Sequence, residues 1–70
     1  MYRGTFRVAP AIGERCHELR IVDVNATWRI IYRIDPDAIV IADVYSKKSR
    51  TTPRSVIARS RTRLQEYDDA

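Results

Sequence analysis

Seventy residues with a formal charge of +4 and a pI near 9.7 make one small basic domain. A chain of this size buries only about 60% of its unfolded surface, so stability that leans on a partner chain is expected. The single cysteine, Cys16, excludes an internal disulfide and points to a reducing, cytoplasmic setting. No Cys/His spacing suits zinc, and neither metal nor cofactor is expected. No apolar run approaches the roughly 20 residues of a membrane-crossing helix, so no membrane partner is expected. Arg3 and Arg7 precede no apolar leader segment.

Residues 1–15 carry no helical period and read as a loosely held N-terminal arm. Within it Thr5-Phe6-Arg7-Val8 is a candidate edge strand, and Pro10 and Gly13 mark irregular chain. CHELRIV, Cys16 to Val22, alternates, with His17, Leu19 and Ile21 on one face and Glu18, Arg20 and Val22 on the other. A turn follows at Asp23–Ala26, with Val24-Asn25 at its tip. Trp28 to Tyr45 then reads as two strands joined by Asp35-Pro36-Asp37-Ala38, where Pro36 presets φ. A two-residue loop sets Ile34 opposite Ile39, Tyr32 opposite Ile41 and Trp28 opposite Tyr45. Because side chains alternate, Trp28, Ile30, Tyr32, Ile34, Ile39, Ile41 and Tyr45 share a face, which is expected to be the core. Arg29, Ile31, Arg33, Val40, Ala42 and Val44 lie on the other. Pairing through the 23–26 turn puts Arg20 opposite Arg29 and Glu18 opposite Ile31, although a one-residue slip would reverse every face.

Ser46 to Arg63 holds seven basic residues and no acidic one. Thr52 is the expected N-cap and Pro53 the first helical residue. Val56, Ile57, Ser60, Leu64 and Tyr67 recur at helical spacing and are expected against the sheet, with Arg54, Arg59, Arg61 and Arg63 pointing elsewhere. Glu66, Asp68 and Asp69 oppose the helix dipole, so residues 68–70 read as a frayed acidic tail. The fold class is α+β: a small antiparallel sheet of three strands, a candidate fourth at the N-terminal edge, and a C-terminal helix.

The basic stretch points to polyanion binding, through Lys47, Arg50 and Arg54, with Arg33 on the sheet. Arg20 facing Arg29 is a like-charge pair that needs either an anion between its members or neutralisation by Glu18 or Asp43. Guanidinium forks match phosphate oxygens two bonds at a time. Glu18 beside two arginines has the geometry of a general base and of a plain ion pair, and an adjacent arginine suits the pair better. His17, Trp28, Tyr32 and Tyr45 read as packed residues. No Gly-rich phosphate loop or nucleophile elbow appears. On its residues alone the chain reads as a small basic α+β domain that is expected to bind RNA.

CHELRI, TWRIIYRID and AIVIADVYSKKSRTTP together resemble the RelE/HigB superfamily of type II toxin–antitoxin toxins, in particular its phage-derived HigB-like branch. The resemblance spans Cys16 to Tyr67, which makes 16–67 the toxin domain. It implies a ribosome-dependent mRNA endoribonuclease, needing no metal, with mRNA on the ribosome and a cognate antitoxin protein as partners. Arg20, Arg29 and Lys48 match catalytic positions, Lys47 lies adjacent, and Glu18 stands where some members carry a lysine base. Residues 1–15 lack the family's N-terminal helical hairpin, which implies a sheet face left to a homodimer or to the antitoxin. The alternative is a shortened, non-catalytic remnant that binds RNA or an antitoxin.

Overall fold

The computed structural model describes residues 3–46 and 51–70, residues 3 and 4 by backbone alone. Four strands, β1 (Arg3–Val8), β2 (Cys16–Val22), β3 (Thr27–Ile34) and β4 (Ile39–Ser46), precede one helix, α1 (Arg54–Asp69). The strands pair antiparallel in sequence order, so the sheet is a simple meander. The candidate edge strand at Thr5–Val8 forms and starts earlier, at Arg3, so this part of the N-terminal arm is held by the sheet. Its partners run from Val22 to His17.

The β2–β3 and β3–β4 hairpins close through two-residue loops, by Asp23 N to Ala26 O and Asp35 N to Ala38 O bonds of 2.9 and 2.8 Å. The β2–β3 register is the expected one, with Glu18 opposite Ile31 and Arg20 opposite Arg29. In β4, Ile34–Ile39 and Tyr32–Ile41 pair as expected, but the ladder then shifts between Ile31 and Tyr32. Ile31 takes Asp43 as partner, which leaves Ala42 as the extra residue of a bulge. Trp28 therefore faces Ser46, and Tyr45 faces Arg29. Past the bulge, Val44 and Tyr45 exchange the faces that unbroken alternation assigns them.

The larger correction concerns which face is core. Helix α1 covers the face bearing Cys16, Glu18, Arg29, Ile31, Arg33 and Ala42, all buried. Ile12, Val56 and Leu64 complete the cluster, with Ala9, Val40, Tyr45 and Ile57 packed at its margin. The face expected to be core is open: Trp28, Ile34, Ile39 and Ile41 are exposed. One helix covers only one side of a sheet, and three sets of polar contacts tie it to this one. Asp68 of α1 binds Arg33 of β3, Arg59 and Arg63 bind Asp43 on β4, and Thr52, just ahead of the helix, binds Glu18 of β2.

The helix also departs from expectation at both ends. Pro53, not Thr52, is its N-cap residue and no side chain caps it, because the Thr52 hydroxyl donates to Glu18. The last turn is not frayed: α1 runs to Asp69, and Arg33 offsets the unfavourable charge of Asp68. Val56, Ser60 and Leu64 form its buried stripe as the spacing predicts, while Tyr67 is half exposed.

Ser60 is fully buried, and its Oγ has no hydrogen-bond partner among the described residues. A small side chain there admits the helix to the sheet, but the lone hydroxyl costs stability. Ser60→Ala is expected to raise the unfolding free energy by about 1 kcal/mol, read from the midpoint of a urea melt.

Candidate nucleic-acid interface

Beyond the N-terminal end of α1, the covered face of the sheet opens into a cleft of about 150 Å³ lined by Thr5, Phe6, Arg7, Glu18, Arg20 and Arg29. Strand register builds it. Arg7 lies opposite Glu18, Thr5 opposite Arg20, and Arg20 opposite Arg29, and all of these except Phe6 point to the same side. Three guanidiniums thus surround one carboxylate.

Glu18 holds the centre. Its carboxylate is buried and accepts from Arg29 Nη1 at 2.7 Å and from Arg7 Nη2 at 3.3 Å. The second oxygen accepts from the Thr52 hydroxyl at 2.7 Å and from the Tyr45 hydroxyl at 3.4 Å. Burial pushes the Glu18 carboxyl upward, but hydrogen bonds from Thr52 and Arg29 and the charges of Arg29 and Arg7 outweigh it, so the group sits below its usual range. Such a group is a poor proton acceptor and a good anchor for a guanidinium. Burial likewise pushes the Tyr45 phenol above its usual range.

The three arginines differ. Arg29 is buried and oriented by Glu18, whereas Arg20 and Arg7 are exposed. Of the two ways to relieve the Arg20–Arg29 pair, neutralisation by Glu18 is present for Arg29. Asp43, the other candidate, serves the helix instead, binding Arg59 at 3.0 Å and Arg63 at 3.1 Å. Those two helix arginines therefore turn back over the sheet, contrary to the outward direction expected of them.

Arg33 is not among the residues lining this cleft. Its Nε and Nη2 bind Asp35 at 2.8 and 2.9 Å, and its Nη1 and Nη2 bind Asp68 at 3.0 and 2.6 Å. The hydrogen bonds it donates to Asp68 and Asp35 push its pKa further up and hold both carboxyls below their usual range. Arg33 is a clamp between the end of β3 and the end of α1. Arg54 stands exposed on the first turn of the helix. Lys47, Lys48 and Arg50 lie outside the described residues.

Sequence reasoning missed Arg7 and Thr52. The alternation of Thr5 to Val8 puts Arg7 in phase with Glu18 once β1 pairs with β2, a usable signal. Thr52 gave none, since its position before Pro53 suits a helix cap better. Cys16 lies in the core, where burial pushes its thiol above the usual range. His17 stacks on Tyr32 at 5.4 Å on the open face. No helix is long and apolar enough to cross a membrane among the described residues.

The family model described as Phage derived protein Gp49-like (DUF891) matches residues 5–65, from β1 through most of α1. No curated protein and no solved structure matches the chain.

The depressed Glu18 carboxyl makes a pH prediction. A group whose folded pKa lies below its unfolded value contributes stability that is present above the ordinary carboxylate range and lost as pH falls through the folded pKa. Stability should thus decline on acidification below about pH 4.5. Glu18→Gln should be less stable than the parent at pH 7 and lose less on acidification. Urea melts at pH 7 and pH 3 check this, and equal losses in the two proteins would contradict it.

Proposed function

The chain belongs to the phage-derived Gp49-like family, a RelE-like family associated with toxin–antitoxin systems, and from that premise we propose that it is the toxin of a type II pair, an endoribonuclease acting on mRNA at the ribosome. The observation that supports this reading is the cleft in which Arg7, Arg20 and Arg29 surround Glu18, with Arg29 held in place by that carboxylate. A phosphate entering between Arg20 and Arg29 would relieve their repulsion and gain paired hydrogen bonds.

In this reading the ribose 2′-oxygen attacks the adjacent phosphorus. A bond forms between phosphorus and the 2′-oxygen, the bond to the 5′-oxygen breaks, and the products are a 2′,3′-cyclic phosphate and a 5′-hydroxyl. The proton of the 2′-hydroxyl passes to water, and Lys48, joined to β4 through Lys47, returns one to the leaving oxygen. Arg20 and Arg29 stabilise the phosphorane, which carries more charge than the ground state. Glu18 orients Arg29 and takes no proton. Lys47, Arg50 and Arg54 hold flanking phosphates. The cognate antitoxin is the second partner.

No described side chain lining the cleft other than the hydrogen-bonded Glu18 could take the 2′-hydroxyl proton, and this favours a second reading, a non-catalytic relative that binds RNA or antitoxin through the same cleft. Mapping mRNA 5′ ends after induction in a bacterial host separates the two. New 5′-hydroxyl ends support the nuclease, and RNA binding without new ends supports the second reading.

Arg20 gives the cleanest mutational test, because it is exposed whereas Arg29 also neutralises a buried carboxylate. Arg20→Ala is expected to keep its fold by circular dichroism and to lose about 10²–10³ in cleavage rate, with growth arrest abolished. A folded variant that cleaves at the parent rate removes Arg20 from the site.

A further inference from the structure

The side of the sheet turned away from α1 carries no Asp, Glu, Lys or Arg among the described residues, in a chain that is 31% charged. It is apolar and open: Phe6, Val8, Ile39 and Ile41 are 72%, 69%, 65% and 62% exposed, and Trp28 and Val44 are 43% and 53% exposed. At ordinary side-chain sizes this leaves on the order of 800 Å² of apolar-residue surface, above the roughly 300–600 Å² of the largest patch on a typical monomer. It also matches the share of about 800 Å² that each partner gives to a standard protein–protein interface.

We propose that this face is a homodimer interface, on which a second copy of the chain lays its own open face. The two four-stranded sheets then form a sandwich, packed about 10 Å apart as sheets do. Charge selects this occupant. Two copies that each carry +4 repel one another, and face-to-face packing is the arrangement that sends both sets of described charges to opposite outer surfaces. A nucleic acid would find aromatic rings for its bases in Phe6 and Trp28, but single-strand platforms also track the backbone with cations, and this face supplies none. A charged peptide would find no counter-charge. The symmetric contact is isologous, so one uncharged surface meets its own copy. The proposal is independent of the nuclease reading, since the arginine cleft lies on the other side of the sheet.

Sedimentation velocity of the full chain between about 1 and 100 μM, a range set around the micromolar affinities that standard-size interfaces reach, should show the mass rising from 8.2 kDa toward twice that value. The emission of the single tryptophan, Trp28, should shift to the blue over the same range as its ring is covered. Ile41→Glu and Ile39→Lys place a charge on the face without touching the packed core, and each should weaken dimerisation by about two orders of magnitude with circular dichroism unchanged. Glu66→Lys, exposed on the helix, should dimerise like the parent. A parent that stays monomeric at the highest concentration overturns the proposal, whether or not the variants fold. So does a folded Ile41→Glu variant that dimerises as the parent does. Quenching of Trp28 by a single-stranded oligonucleotide, without self-association, overturns it in favour of a base-stacking platform.

Discussion

The buried carboxylate of Glu18 is the constraint to which most of the molecule answers. Its two oxygens collect Arg7 from β1, Arg29 from β3, Tyr45 from β4 and Thr52 from the approach to the helix. An unpaired carboxylate in that position would be several kcal/mol too costly to bury, so each partner is needed to make the burial tolerable. Replacing such an ion pair with apolar residues often leaves a protein equally stable, which means stability alone does not account for its presence. What it does provide is direction: Arg29 is aimed into a cleft, and the segment that leads into α1 is brought to the same side of the sheet.

That arrangement inverts the usual division of labour in a small α+β domain. The side under the helix is rich in charge, with Glu18, Arg29, Arg33 and Asp43 all buried. The open side is apolar. In a chain that can cover only one face, three interactions distant in sequence decide which one it is: Arg33 with Asp68, Asp43 with Arg59 and Arg63, and Glu18 with Thr52. The helix contributes a narrow apolar stripe of Val56, Ser60 and Leu64, and a stripe this thin leaves the choice of face to the charges beside it.

This explains what was legible in the sequence and what was not. Local chemistry marked the strands, both turns and the Arg20–Arg29 juxtaposition, because each depends on residues close in the chain. Alternation correctly grouped residues on either side of β2 and β3, but it assigns partners to a face without saying which face is covered. The more apolar side looked like core, and the pairings that override this join residues between 16 and 35 positions apart. The bulge at Ala42 had no signature in an otherwise unbroken apolar strand, and it alone moved Tyr45 to the side of Arg29 and Glu18. The cleft itself was half legible: Glu18, Arg20 and Arg29 came from strand pairing, while Arg7 needed the edge strand to be placed with certainty and Thr52 needed the helix to be docked.

The meander topology bears on how the chain acquires its structure. Every strand pairs with its neighbour in sequence, and such local closure is the kind that forms quickly. The helix that covers the sheet follows all four strands in sequence, so its contacts with them span the longest stretches of chain. Until the helix docks, Glu18 lacks Thr52, Arg33 lacks Asp68 and Asp43 lacks both of its arginines. The nascent sheet is then wet and polar on one side and apolar on the other, and its greasy side is exposed from the start. Docking of the helix buries the polar side and leaves the apolar one open, so association through the open face is a hazard the chain runs both before that step and after it.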